Sequence, residues 1–597
     1  MLYDGGCPFC CRWIERWRRI TGDSVDYRPY QQAAAQFPQI QYESVGRAVH
    51  LVEPDGRTSR AAAAVFRAFE LANAHRWLAW SYQHIPGFAA VADCGYAAIA
   101  AHRNAADRID LLLIGPSTQP QAYRLTQQIF LRMLGVIYAI AFLSLWVQID
   151  GLIGSGGILP ISRYLAAAQS VMGDERYRLL PTLCWLNPGD GFLHFLCGGG
   201  VAAALLVVCG LAQLPALVLM WAFYLSLTVA GQDFLGFQWD SLLLEAGFLA
   251  IFFASWRLWP GPRREPSHIV LWLLRWLLFR VMFMSGVVKL ASGDASWRAW
   301  TAMRYHYETQ PLPTWIGWYF FQFPTWFQTF SCGVVFLAEL VIPLLIFGPR
   351  RIRLIAFWAI IVFQLLILAT GNYGFFNLLT IVLCFLLPDD TFWRWLLRLK
   401  AVREIAVSSP WLRRSVHGIV AIILLSVTIP ICVDAFGVEI NWPLPISKLD
   451  GWIEPFRIAN GYGLFAIMTT QRPEILIEGS DDGATWKTYS FKWKPGDVNR
   501  APAFVIPHMP RLDWQMWFAA LEGPSSSPWI VPFLDRLLAG SPAVLRLLEN
   551  NPFPDHPPQY VRAVLYDYHF TTRATRRITG AWWRRQAIGI FYQASRQ

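Results

Sequence analysis

Tyr3-Asp4-Gly5-Gly6-Cys7-Pro8-Phe9-Cys10-Cys11 opens the chain and decides the fold of its N-terminal part. An apolar start, a glycine pair, and two cysteines ahead of the run Arg12–Thr21 read as strand, tight turn and helix, with Cys7 at the helix entrance. Two thiols at this spacing make a dithiol redox centre. The helix N-terminus and the nearby Arg12 and Arg16 are expected to lower the first thiol's pKa and favour its thiolate. Cys7 would then attack, Cys10 would resolve the mixed disulfide, and Asp4 belongs to the same candidate site. A zinc half-site and an inert pair are the other readings. Zinc lacks a second Cys/His pair at ligand spacing, and Cys11 adds a thiol without a metal pattern. Neither a metal nor a cofactor is expected.

Outward from this string the chain changes character. It has 597 residues, 55% hydrophobic and only 15% charged, with 30 Trp and 40 Phe. Soluble domains carry about a quarter charged residues, and aromatic side chains crowd at membrane interfaces. The N-terminus lacks a charged stub followed by an apolar run, so no cleavable signal peptide is expected. The net charge of +11 does not point to nucleic acid, because many arginines flank apolar runs, where topology and anionic lipid explain them. Ten cysteines are scattered and none lies beyond residue 440, so the C-terminal part is not a disulfide scaffold.

After a Pro/Ser linker at Pro116–Gln121, apolar runs near bilayer length follow. The expected count is about nine spans: Ile129–Ile149, Phe192–Leu211, Leu214–Gly231, Ser241–Trp259, His268–Ala291, Trp326–Gly348, Ile352–Ala369, Tyr373–Pro388 and Ser415–Phe436. With the N-terminal part cytoplasmic, the cytoplasmic loops hold Arg257, Arg263, Arg264, Arg350, Arg351, Arg353, Arg394, Arg398, Lys400, Arg403, Arg413 and Arg414. The opposite side holds only Arg163, Arg176, Arg178, Lys289, Arg298 and Arg304, which is the positive-inside asymmetry. An odd count puts the C-terminus across the membrane. There, Pro473–Glu478 alternates like a strand, Asp482-Gly483 is a hairpin turn, and Trp486–Trp493 and Val561–Phe570 read as further strands. Trp529–Ala539 and Pro542–Asn551 read as helices. The fold class is therefore multi-domain: an α/β head over 1–115, a polytopic helical membrane domain over 125–436, and a β-rich extramembrane domain over 437–597.

The opening string, with Asp93-Cys94-Gly95-Tyr96 and the later Ile99 and Arg103, resembles the DCC family of thiol-disulfide oxidoreductases. That resemblance covers about residues 1–110 and implies a thioredoxin-like fold. Two features depart from that fold's usual pattern. The strand expected at Val49–Val52 follows Ser44-Val45-Gly46-Arg47, without the proline that usually faces the cysteines. The first strand is also short, at Met1-Leu2-Tyr3, which would suit a start lying upstream.

Three later strings resemble the lipase maturation factor family. They are Phe142–Pro160; Ser285–Pro313, with Ser-Gly-Val-Val-Lys-Leu and Tyr305-His306-Tyr307-Glu308; and Phe456–Leu521, with Arg457-Ile458-Ala459-Asn460-Gly461-Tyr462-Gly463-Leu464-Phe465 and Pro510-Arg511-Leu512-Asp513-Trp514-Gln515-Met516-Trp517. This resemblance spans about 125–590. It implies a polytopic membrane protein that assists maturation of a secreted lipase client, with its C-terminal domain on the lumenal or periplasmic side. A bacterial inner membrane is the expected location.

Lys289 stands near the end of an apolar span, where an ionisable side chain is costly. It is read as a snorkelling anchor or ion-pair member, with Glu245 and Glu339 as partners and Arg275 and Arg280 beside it, or as a base of lowered pKa. Lys-Leu followed by Trp297 is also similar to the membrane domain of vitamin K-dependent carboxylases, which implies a base at this place. His306 in the next loop is expected to be an ordinary polar residue. Ser480–Trp486 is near an Asp-box but one spacer short, and fits a plain hairpin. Gly154-Ser155-Gly156-Gly157 lacks the Lys-Ser/Thr of a phosphate loop. Arg511, Asp513, Trp514 and Trp517 are candidates for client binding, against packing or membrane docking. The leading expectation is a membrane-embedded maturation factor with an added redox head that has its own thiol partner. The rivals are a membrane redox or carboxylase-like enzyme using Lys289 and a quinone-type cofactor, and a structural scaffold with a vestigial head.

Overall fold

The computed structural model describes the chain except residues 39, 41–43, 45, 117, 119–120, 257, 260–264, 401–410, 439 and 597. Arg257, Arg263, Arg264, Arg403, Val45 and part of the Pro/Ser linker therefore lie outside the described residues. The chain divides into two compact units, residues 1–122 with 348–354, and residues 123–347 with 355–597.

In the first unit, β1 (Leu2–Tyr3) pairs in parallel with β2 (Arg28–Pro29) and antiparallel with β3 (His50–Val52), which pairs with β4 (Thr58–Arg60). Helices Pro8–Thr21 and Ala61–Leu71 pack against this sheet through Ile14, Val65 and Phe69. Pro8 at the first helical turn suits the start, since its missing N–H has no intrahelical partner there. The head is thus the small α/β unit the sequence predicts.

Seven helices in the second unit are long and apolar enough to cross a membrane among the described residues: Arg124–Trp146, Asp190–Cys209, Gln213–Ala230, His268–Ala291, Thr325–Phe347, Arg350–Thr370 (begun in the first unit) and Trp411–Asp434. Two of the nine expected spans need correction. The run at 241–259 forms a helix of 16 residues, Gln238–Phe253, and the run at 373–388 one of 9 residues, Phe376–Cys384. The longer is about 24 Å at ~1.5 Å per residue, short of a hydrocarbon core of about 30 Å. Both are sheathed by other helices, with Asp240, Glu245 and Asn377 buried on them. Apolar composition alone does not separate a helix covered by protein from one covered by lipid.

The C-terminal part is not free-standing. Its sheet, order β6-β5-β7-β8, is antiparallel throughout, with β5 at Pro473–Ser480, β6 at Lys487–Tyr489, β7 at Tyr560–Phe570 and β8 at Trp583–Ser595. It shares one compact unit with the long helices. The loop 457–472 and helix Arg511–Glu522 run into those helices, and the docking is made of buried charges.

Candidate functional site

In the head, Cys7 caps the helix. The Cys10 backbone N–H donates to Cys7 Sγ at 3.2 Å, and the two sulfurs are 2.6 Å apart. Burial pushes the Cys10 thiol up, and its contact with Cys7 adds to that. Asp4 shapes the turn: Oδ1 accepts from the Gly6 N–H at 3.0 Å and from Gln31 at 2.8 Å, and Oδ2 lies 3.4 Å from Arg103. Arg12 and Arg16 do not serve the thiols as expected. Both pair with the helix Arg103–Leu113, Arg12 with Asp107 and Asp110, and Arg16 with Asp110 at 2.7 Å. The cation beside the cysteines is Arg103, which also donates to the Arg47 carbonyl at 2.9 Å. Tyr96 Oη accepts the Val49 N–H at 3.0 Å and ties the late element to β3.

Lys289 is 3% exposed, so it does not snorkel. Its ammonium donates to both Glu339 oxygens at 3.1 and 2.9 Å, to the Ser285 carbonyl at 3.1 Å and to the Leu464 carbonyl at 2.9 Å. Of the two expected partners Glu339 is the one found, and Glu245 goes to Arg280. Glu339 sits where its helix widens into a π-turn at Leu337–Val341, a feature that often marks function. Leu464 is delivered by the Gly-Tyr-Gly string: a Cβ on Gly463 would stand 2.8 Å from Val288, so only glycine lets the loop run this close. Phe465 follows with φ 54°, a costly conformation for an aromatic residue. Its carbonyl accepts the Trp297 indole N–H at 2.9 Å.

These groups line a cavity of 400 Å³ whose other walls are mostly apolar side chains, many from the helices His268–Ala291, Thr325–Phe336 and Arg350–Thr370, with Ser331, Gln364 and Thr370 among them. His306 also lines it, packed edge-on to Phe465 and 3.4 Å from Tyr373 Oη. Burial and then the charge of Lys289 push His306 down to about 4, so the imidazole is neutral. Its place in this cavity was not legible in the sequence, because Tyr373 and Phe465 are remote along the chain.

The four client-binding candidates are all buried, which agrees with the packing alternative and not with client binding. Arg511 forms a bidentate pair with Asp240 at 2.5 and 2.7 Å, and Tyr224 Oη donates to the same carboxylate at 2.5 Å. Asp513 accepts the Trp493 and Lys494 N–H groups at 2.9 Å each, and burial raises its pKa. Trp514 packs edge-on against Trp239 with ring centroids 4.8 Å apart, and the Trp517 indole donates to the Thr309 carbonyl at 2.9 Å. A helix that turns Arg511, Asp513, Trp514 and Trp517 inward holds the C-terminal part in place. Two further locks were missed. Arg280 pairs with Glu245, whose other oxygen accepts from Asn460 at 3.1 Å and Tyr462 at 2.8 Å. Arg472 pairs with Glu474 at 2.7 Å and donates to the Glu308 carbonyl at 2.6 Å.

The residues of these locks fall within two contiguous matches to known families. Residues 125–395 match the lipase maturation factor transmembrane domain, and 458–593 the lipase maturation factor C-terminal domain. Lipase maturation factor 2 of Gallus gallus is 39% identical, over 79% of this chain and 81% of its own length. The chain belongs to the lipase maturation factor family. The Homo sapiens factor 2 is 36% identical, over 79% and 82% of the two chains, and the Bos taurus factor 1 is 34% identical, over 78% and 88%. Residues 1–108 match the DCC1-like thiol-disulfide oxidoreductase family, so this family member carries an added head. It is an integral membrane protein. These relatives are from vertebrates and lend no support to a bacterial membrane. No solved structure matches the chain.

Proposed function

We propose that the chain is a membrane-embedded maturation factor for a secreted lipase client, with a head that adds thiol-disulfide exchange. The observation that carries this reading is that the strings resembling the family are the same ones that dock the C-terminal part onto the helices. Arg511, Asn460, Tyr462 and Leu464 all make buried contacts to helix residues. A platform held this way presents a fixed surface at the membrane, which suits a protein that assists another's folding. The head lies on the side of the basic loops and the C-terminal part on the opposite, lumenal or periplasmic side. In the head, the Cys7 thiolate attacks a partner disulfide and expels one partner thiolate. Cys10, deprotonated as it reacts, then attacks the Cys7 sulfur and releases the second. The head ends as a disulfide, and two electrons and two protons pass to the partner.

The enzyme reading, with Lys289 as base, finds less support. All three ammonium protons have partners in Glu339 and two carbonyls, which suits a structural cation. The test of the leading reading is co-expression with a secreted lipase: the chain should raise lipase activity per molecule secreted without changing its transcript. Equal specific activity with and without the chain would reject the reading for that lipase.

A further inference from the structure

The C-terminal sheet ends in two unlike edges. β6 is only Lys487–Tyr489, and so short an edge offers little to pair with. β8 runs for 13 residues, Trp583–Ser595, and has β7 on one side only. Every residue from Arg584 to Ile590 is exposed, with Ile588 and Ile590 at 58% and 60%. The direction of the backbone groups is fixed at the start of the strand. The Trp583 N–H leaves the ladder and donates to the Val498 carbonyl at 3.1 Å, while on the ladder side the Thr571 N–H donates to the Trp582 carbonyl at 3.0 Å. Alternate residues of an antiparallel strand turn their N–H and C=O the same way, so those of Arg585 and Ala587 also point outward. The register against β7 is regular from Trp583 to Ala587; beyond it, Ile588 and Phe591 have no residue opposite and bulge.

Between Thr571 and Gln597 the chain holds six arginines and no acidic residue. Arg573, Arg577 and Arg584 are exposed and have no ion-pair partner among the described residues. Charges and bulges are what keep a long edge from pairing with its own kind. Two β8 strands side by side would set arginine near arginine, which disfavours a second copy of the chain. The same charges attract carboxylates. A bilayer would leave the outward N–H and C=O groups without partners in its apolar part, whereas an added strand pairs them.

We infer that β8 takes up an extended, acidic segment of another polypeptide as a further strand of the sheet. The backbone of that segment pairs with Arg585 and Ala587, its carboxylates are drawn by Arg573, Arg577 and Arg584, and its apolar residues meet Ile588 and Ile590. This inference does not rest on the lipase reading.

The test uses the full chain in phosphatidylcholine nanodiscs and a short fluorescent peptide that alternates glutamate with valine. The peptide's anisotropy should rise and saturate. The same peptide N-methylated at every residue keeps its carboxylates but has no backbone N–H to give, and a lysine–valine peptide reverses the charge. Each should bind at least about tenfold more weakly. Ala587→Pro removes an outward N–H and spares the ladder to β7, so it should weaken binding about tenfold, whereas Ala587→Val should not. If Ala587→Pro lowers the melting temperature, Arg584→Glu decides instead: it should weaken binding of the glutamate peptide and tighten that of the lysine one. Equal binding of the methylated peptide, full binding by a folded Ala587→Pro, or unchanged affinities in Arg584→Glu would overturn the inference. So would displacement of the peptide by phosphatidylserine vesicles and not by phosphatidylcholine vesicles, which would give the strand to a membrane surface.

Discussion

The dithiol in the head and the lysine in the helical body both stand at a helix end, and they are built in opposite ways. Cys7, Cys10 and Asp4 lie within one short string, partly exposed, and the turn that holds them is local. Lys289 is buried and meets Glu339 and Leu464 from distant parts of the chain. A local site can be exchanged or lost with little effect on the fold around it. A site made of remote buried charges is part of what holds its surroundings together. The difference teaches that charge in the body serves assembly, while the head keeps its two thiols partly exposed.

The sharpest way to break this contrast is Asp240→Asn. It leaves Arg511 buried opposite a neutral group, and removing one partner of such a pair costs about 3–5 kcal/mol. Membrane abundance and thermal unfolding of the body should both fall. If the variant melts like the parent, the buried charges do not hold the C-terminal part.

Lys289 comes next. Lys289→Ala strands Glu339 and should destabilise by about 3 kcal/mol, while Lys289→Arg keeps the charge and should fall between. An arginine variant as damaged as alanine in function, at normal abundance, would restore the base reading.

Acid should loosen the body by a smaller amount. His306 and His508 are each pushed down to about 4, His306 by burial and Lys289, His508 by burial and the charges of Arg511 and Lys492. Unfolded histidines titrate near 6.5, so the unfolded chain binds more protons below that pH. The stability due to these groups is complete above about 6.5 and is lost as pH falls toward 4. His306→Gln and His508→Asn should each flatten a melting-temperature profile over that window.

The smallest structural effect belongs to the head. Cys10→Ser should change its melting by less than about 0.5 kcal/mol, as partly exposed substitutions do, yet should trap a mixed disulfide through Cys7. No trapped species from membranes treated with oxidant would favour an inert pair.

What could be read from the sequence follows the same division. The head's strand, turn and helix start, its Asp4 and its cysteine pair sit at short spacings that local rules decode. Arg12 and Arg16 were misjudged because Asp107 and Asp110, their partners, are far along the chain. In the body, apolar runs revealed the long helices but overcounted them, since Gln238–Phe253 and Phe376–Cys384 are equally apolar and are covered by protein. Lys289 was visible as an anomaly and Glu339 as its partner. Arg511, Asp513, Trp514 and Trp517 were legible as a distinctive helix, but which way they faced was not, because Asp240 and Trp239 supply that information from 270 or so positions away.

The claim that matters most is that the welded body, and not the dithiol, carries the maturation of a lipase. The direct measurement is the specific activity of a co-expressed secreted lipase with the full chain, with Cys7→Ser/Cys10→Ser, and with Asp240→Asn, each normalised to the chain's abundance in the membrane. Most of the activity should survive loss of both thiols and little should survive Asp240→Asn. Loss with the thiol variant and retention with Asp240→Asn would contradict the claim.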